Sequence, residues 1–185
     1  GHMWELYAFW ACVPLLLLTI FNSPSIEQVA GFSFLVIGTG CIGCFLSGIL
    51  SNKYNSPLIA ALSLFISGLI CLFYPLLPSS LIYLKLSFLI IWGIFVISDS
   101  PLYSSISAQA TPDHLVGTAL VTQNCIGFSI SIISIFISTY LFPIIGEKIA
   151  WVLLPGPVVG LFYFYRLIGK NYWINKKPII RKNNY

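Results

Sequence analysis

Charge is what this sequence has least of. Its 185 residues include 9 Lys and Arg and 5 Asp and Glu, so charged side chains make up 8% of the chain, against about 25% in soluble domains. With 58% hydrophobic residues and a mean hydropathy of +0.93, that scarcity excludes an ordinary soluble domain and points to an integral membrane protein. The net charge of +4 lies almost wholly at the C-terminal end, which leaves no basic groove and no expectation of a nucleic-acid partner. Histidine is also scarce, with 2 in the chain. The five cysteines, Cys12, Cys41, Cys44, Cys71 and Cys125, all sit inside apolar runs, so they form no disulfide framework and say nothing about redox compartment. No Lys or Arg precedes the first apolar run, Trp4 to Phe21, and no small-x-small cleavage site follows it. It reads as a retained span, not a secretory signal.

What is present is a series of long uncharged stretches. None of the intervals between Glu5 and Glu27, Glu27 and Lys53, Lys53 and Lys85, or Asp113 and Glu147 contains a charge, and each can hold a helix of about 20 residues, enough to cross a bilayer. Pro, Asn, Ser and isolated charges divide the chain into six expected spans near 4–22, 29–51, 57–77, 81–108, 115–142 and 149–168, followed by a basic tail at 169–185. Arg166, Lys170, Lys176, Lys177, Arg181 and Lys182 crowd one end and Lys53 falls on the same side, whereas Lys85 and Lys148 fall opposite. The positive-inside bias therefore places both termini in the cytoplasm, in a multi-pass protein of the cell membrane. Pro101 predicts a kink beside Asp99, and Pro155-Gly156-Pro157 a break in the last span.

Two motifs have bland readings. Gly38-x-Gly40-x-x-Gly43 matches a dinucleotide fingerprint in form only, because it lies in an uncharged run with no acidic residue about 20 positions on. Gly40, Cys44 and Gly48 instead predict a smooth helix face for close packing. Cys41-x-x-Cys44 lacks a second pair of ligands, so no metal and no cofactor is expected. Asp99 is different, since a carboxyl within a span costs at least a few kcal/mol and is a functional candidate by default. Its alternative is a structural carboxyl bonded to Ser98, Ser100 or a neighbouring helix. Glu5 is a second candidate, or a surface partner of His2 if the membrane begins near Trp4. Gln123 and Asn124, inside the fifth span, are either interhelical glue or solute contacts.

Four blocks, GHMWELYAFWACVP, GILSNKYN, SDSPLYSSISAQATPDHLVGTALVTQNCIGFSISIISI and PGPVVG, resemble in that order the C-terminal half of a twelve-span major facilitator superfamily transporter. By that resemblance the Gly1-His2-Met3 triplet is native sequence inside a helix, not the scar of a cleaved tag, and the first turns of that helix precede Gly1. The fold implied is an all-α integral membrane bundle of six helices, one half of a twelve-helix protein working by alternating access. The resemblance implies that Asp99 and Glu5 line a cavity for the substrate or coupling ion, with Gln123 and Asn124 beside them. It implies a gating loop at Gly48, Asn52 and Lys53, where Asn52 and Lys53 stand in place of the family's usual Asp and Arg and Asn55 in place of a Gly. Expected partners are a small-molecule solute, the missing N-terminal six-helix half and the lipid bilayer.

The reading is thus the C-terminal half of a secondary active transporter, a fragment and not an enzyme. An inactive remnant or split-gene subunit is the alternative, and an intramembrane enzyme using His2, Asp99 and Ser98 would need a His within hydrogen-bond reach of an intramembrane Ser or Asp. The topology is testable directly. Reporter fusions after Lys53 and at Tyr185 are expected to report cytoplasm and one near Gly146 the opposite side; opposite locations for the first two would overturn the six-span count.

Overall fold

Helix starts and stops fall where local chemistry puts them. Ser25 caps the second helix through a full capping box, its hydroxyl accepting from the Gln28 N–H while the Gln28 side chain accepts from the Ser25 N–H. Pro57 stands in the first turn of the fourth helix, where its missing N–H costs nothing. The computed structural model describes residues 1–21 and 23–171, with side chains placed through Tyr165. Among them the regular elements are helical: α1 (His2–Ile20), α2 (Ile26–Gly38), α3 (Gly40–Lys53), α4 (Ser56–Phe73), α5 (Ile82–Ser98), α6 (Ser100–Ala110), α7 (Val116–Ile145), α8 (Ile149–Leu153) and α9 (Pro155–Asn171), with 3-10 turns at Tyr74–Leu76, Asp113–Leu115 and Gly146–Lys148. The side chains of Arg166 and Lys170, and the tail from 172, lie outside the described residues.

Among the described residues five stretches are long and apolar enough to cross a membrane: His2–Ile20, Ile26–Lys53, Ser56–Leu76, Ile82–Ala110 and Asp113–Tyr165. The last is 53 residues long and takes in the expected span at 115–142 and positions 149–165 of the one at 149–168. Gly146 divides it, with φ 55 and ψ −129, a conformation that a residue with a Cβ rarely adopts. The chain then returns as α8 and α9 antiparallel to α4, since Trp151 reaches Leu72, Pro157 lies against Gly68 and Gly160 against Leu64.

The buried stripe of α1, running through Leu6, Phe9, Cys12, Val13, Leu16 and Leu17, faces α2, α5, α7 and α9. Met3 and Trp4 sit by Ser131 and Ser134 while Thr19 sits by Glu147, so α1 and α7 are parallel. Glu5 meets Trp92, so α5, which also carries Lys85 near Thr19's end, runs the other way. The outer surface carries many large apolar side chains, Phe34, Phe45, Ile132 and Phe136 among them largely exposed.

The breaks fall at Thr39, Asp99 and Leu154. Those at Asp99 and Leu154 match the expectation from Pro101 and from Pro155-Gly156-Pro157. Pro101 removes the N–H that would bond the Ile97 carbonyl, and the Cys44 thiol of α3 donates to that carbonyl at 3.6 Å. The Val152 carbonyl, next to the Leu154 break, accepts the Trp4 indole N–H at 3.0 Å.

The expected packing face of Gly40, Cys44 and Gly48 is corrected. Gly40, Gly43 and Ser47 are the buried positions of α3, and nothing lies near Gly48. With 3.6 residues per turn, steps of four drift by about 40° each, so Gly48 has turned away from α5 while Gly43 remains against it. A Cβ on Gly43 would overlap the Ile94 carbonyl, and one on Gly93 the Val36 carbonyl. Gly43→Ala is therefore expected to destabilise the bundle by about 1–3 kcal/mol, whereas Gly48→Ala should be neutral or stabilise by up to about 1 kcal/mol. Unfolding in mixed micelles by a denaturing detergent measures both, and equal effects would contradict this packing.

A buried polar cluster as candidate functional site

Polar residues occupy the core stripe of α1 at its first turn. His2 and Glu5 are three residues apart on the face that Phe9 and Cys12 continue. Both are buried, His2 to 9% exposure and Glu5 to 1%, so the surface-pair alternative does not hold. The structure brings Asp99, also 1% exposed, to the same place from the α5–α6 junction. His2 Nδ1 lies 2.9 Å from Asp99 Oδ1, yet neither Asp99 oxygen and neither imidazole nitrogen is in a well-aligned hydrogen bond. The Tyr103 ring of α6 lies 5.4 Å from the His2 ring, centroid to centroid, and its phenol is close enough to interact with Asp99.

Glu5 has the opposite surroundings. Its Oε1 accepts from Trp92 Nε1 at 2.8 Å, from Cys71 Sγ at 3.3 Å and from the Ser67 hydroxyl. Its Oε2 has no partner. Ser67 and Cys71 are one turn apart on α4, and Trp92 comes from α5 with its ring against Phe9 and Tyr74 at centroid distances of 4.6 Å and 5.9 Å. One carboxylate thus ties three helices together. Among the described residues neither carboxylate meets a Lys or Arg, and no group of three or more His, Cys, Asp or Glu side chains is placed to hold a metal.

The other expected residues lie apart from this cluster. Gln123 accepts from the Ser107 hydroxyl of α6 and is half-buried, while Asn124 is exposed on α7. Gly48 is half-buried, and Asn52 and Lys53 are exposed at the end of α3, the Lys53 ammonium 5.6 Å from the Tyr54 ring centroid.

Sequence reasoning missed the donors around Glu5 and a second polar pair, half of it buried. Lys85, fully buried, bonds to Glu147 in the turn after α7, and the Thr19 hydroxyl donates to the same carboxylate at 3.1 Å. Each charge reads in sequence as a span boundary. The signal was the spacing: Lys85, Trp92 and Asp99 are seven apart, which puts all three on one side of the α5 helix and its junction. Ser98 donates to the Ile94 carbonyl at 2.5 Å and abuts Gly43, directed to α3.

Comparison with protein-family profiles, curated proteins and solved structures finds no match to this chain. The geometry is checked by replacing one donor. Trp92→Phe keeps the ring against Phe9 but leaves Glu5 with one bond fewer, and is expected to cost about 1–3 kcal/mol in detergent-induced unfolding; a cost near zero would mean that the indole does not bond Glu5.

Proposed function

We propose that this chain is the C-terminal six-helix half of a secondary active transporter of the facilitator type, moving a small-molecule solute by alternating access and driven by a proton or ion gradient. One observation carries the reading: two carboxyl groups and an imidazole converge inside an apolar bundle, at the junction where a helix is interrupted. Each buried carboxyl costs a few kcal/mol, and evolution retains such a cost where a charge must be handled. The interrupted α5–α6 and α8–α9 helices fit the same reading, since broken helices in transporters lie where they line a site. On this reading the six passes are α1, α2–α3, α4, α5–α6, α7 and α8–α9; Asp99 and Glu5, each 1% exposed, lie inside this half and not on an open wall, Gln123 is held by Ser107, and Asn124, exposed on α7, is the one of the four free to meet a partner half or solute. The loop at Gly48, Asn52 and Lys53 would gate, although without the carboxylate that usually pairs with the base.

A second reading has one observation in its favour. The 2.9 Å approach of His2 to Asp99 is the base-and-orienter contact that an intramembrane hydrolase requires. Its weakness is the nucleophile: Ser98 is bonded to Ile94 and Ser67 to Glu5.

The test places this chain alone, this chain with a matching N-terminal half, and the joined protein in vesicles under one proton gradient, loaded with a pH-sensitive dye and exposed to a panel of solutes. Solute-dependent proton flux is expected only where both halves are present, and Asp99→Asn should reduce it at least tenfold, about 1.4 kcal/mol in the barrier, because the amide keeps the shape without cycling a proton. Flux from this chain alone at the joined protein's rate would overturn the half-transporter reading. Flux that Asp99→Asn leaves unchanged at every pH would end the coupling role.

A further inference from the structure

Lys85 takes no part in the cluster at His2, Glu5 and Asp99. It meets Glu147 beside Thr19, about 25 Å along α1 from His2. A buried ammonium needs an anion against it, because an unpaired charge in an apolar interior is strongly destabilising. The two partners are held differently. Lys85 is fully buried on α5, whereas Glu147 is 18% exposed and belongs to the Gly146–Lys148 turn, which Gly146 opens with φ 55. The cation is fixed in the interior and its anion arrives from the surface. Glu147 Oε2 bonds to Lys85, while Oε1 has the Thr19 hydroxyl at 3.1 Å, whose single proton is shared with the closer Leu16 carbonyl at 2.7 Å. A further donor is idle: Tyr74 is fully buried, its hydroxyl has no hydrogen-bond partner, and it lies within electrostatic reach of Glu147.

We propose that Lys85, Thr19 and Tyr74 form a binding site for the carboxylate of a small acid, and that Glu147 is its resident occupant, displaced when such an acid binds. The exchange keeps one carboxylate against Lys85 throughout, so the interior never holds an unpaired cation. Glu147, attached to a surface turn, has water to go to. A carboxylate has about four lone-pair sites, and one not tied to the turn can settle where it serves all three donors, Tyr74 included. Lys148, exposed next to Glu147, draws anions to the turn. One ammonium balances one negative charge, so a monocarboxylate fits, whereas a phosphate dianion would leave a buried charge unbalanced. The proposal concerns binding alone and does not rest on the transporter reading.

Binding of acetate to the purified protein in detergent micelles tests this, read by saturation-transfer NMR on the acetate methyl at constant ionic strength, with acetamide as the neutral isostere. The unaltered protein is expected to bind acetate, and Glu147→Ala to bind it at least about tenfold more tightly, because a tethered competitor is gone. Tyr74→Phe added to Glu147→Ala should weaken that binding about tenfold, and Lys85→Met should abolish it. Absence of acetate binding to the unaltered protein overturns the proposal, as do equal affinities with and without Glu147, binding that survives Lys85→Met, or acetamide binding as well as acetate. Should Glu147→Ala fold in acetate but not in acetamide, that rescue supports the site directly. Should Lys85→Met not fold, Tyr74→Phe decides, since it removes no hydrogen bond present in the structure: an affinity for acetate equal to that of the parent overturns the proposal. Decanoate run beside acetate locates the source of the ligand; tighter binding places its tail in lipid, equal binding places it in water, and either supports the site.

Discussion

A carbonyl freed by a broken helix has no water to turn to inside an apolar bundle, and this protein supplies side-chain donors to carbonyls from neighbouring helices. The Ile97 carbonyl, which Pro101 deprives of its donor, takes the Cys44 thiol, and the Val152 carbonyl beside the Leu154 break takes the Trp4 indole. The Met3 and Trp4 carbonyls receive additional bonds from Ser131 and Ser134 on α7. Every one of these bonds crosses between helices. An interruption that would weaken an isolated helix by several kcal/mol is here the point at which two helices are fastened, and the order of α1, α3, α5, α7 and α8 around one another is set by those fastenings as much as by apolar packing.

The two polar groups do different electrostatic work. Lys85 and Glu147 are one base and one acid, with Thr19 completing the carboxylate's bonds; the pair neutralises itself and fastens α5 to the turn after α7. A pair of this kind fixes which helix meets which more than it adds stability, because desolvation offsets much of its attraction. The cluster at His2, Glu5 and Asp99 has two acids and one imidazole and no Lys or Arg among the described residues, so it does not neutralise itself at fixed protonation. Trp92 stands between the two, its N–H bonded to Glu5 and its ring on Tyr74.

Apolar runs and punctuation made the helices legible, and Pro101 and the Pro155-Gly156-Pro157 triplet made two of the breaks legible, because a missing N–H acts locally. The break at Thr39 has no proline and was not anticipated. Asp99 and Glu5 stand out in sequence by the cost of burying them, but the donors of Glu5 do not: Ser67, Cys71 and Trp92 are ordinary residues of apolar helices until the fold brings α4 and α5 to α1. Lys85 was legible only as punctuation, since an isolated charge more often ends a span than pairs within a bundle, and its partner lies 62 residues away. Gln123 and Asn124 are neighbours in sequence but not in environment, one half-buried against Ser107 and the other exposed, as adjacent helix positions about 100° apart must be.

The position of Asp99 at the junction, and not along either helix, has a mechanical consequence. Its carboxylate sits at the fulcrum. α5 is pinned at two levels, through Lys85 to Glu147 and through Trp92 to Glu5, and α6 continues beyond the junction for 11 residues, about 16 Å, held by Leu102 against Ile59 and Ala60 of α4 and by Ser107 to Gln123 of α7. If that segment tilts by about 10°, its far end at Ala110 travels about 3 Å and Ser107, where it meets Gln123, about 2 Å, while the carboxylate at the junction hardly moves from His2. Displacement is therefore greatest at the α6 end next to α7 and least where the charge is held. An arm hinged in this way can change shape without dragging a charge through the apolar interior.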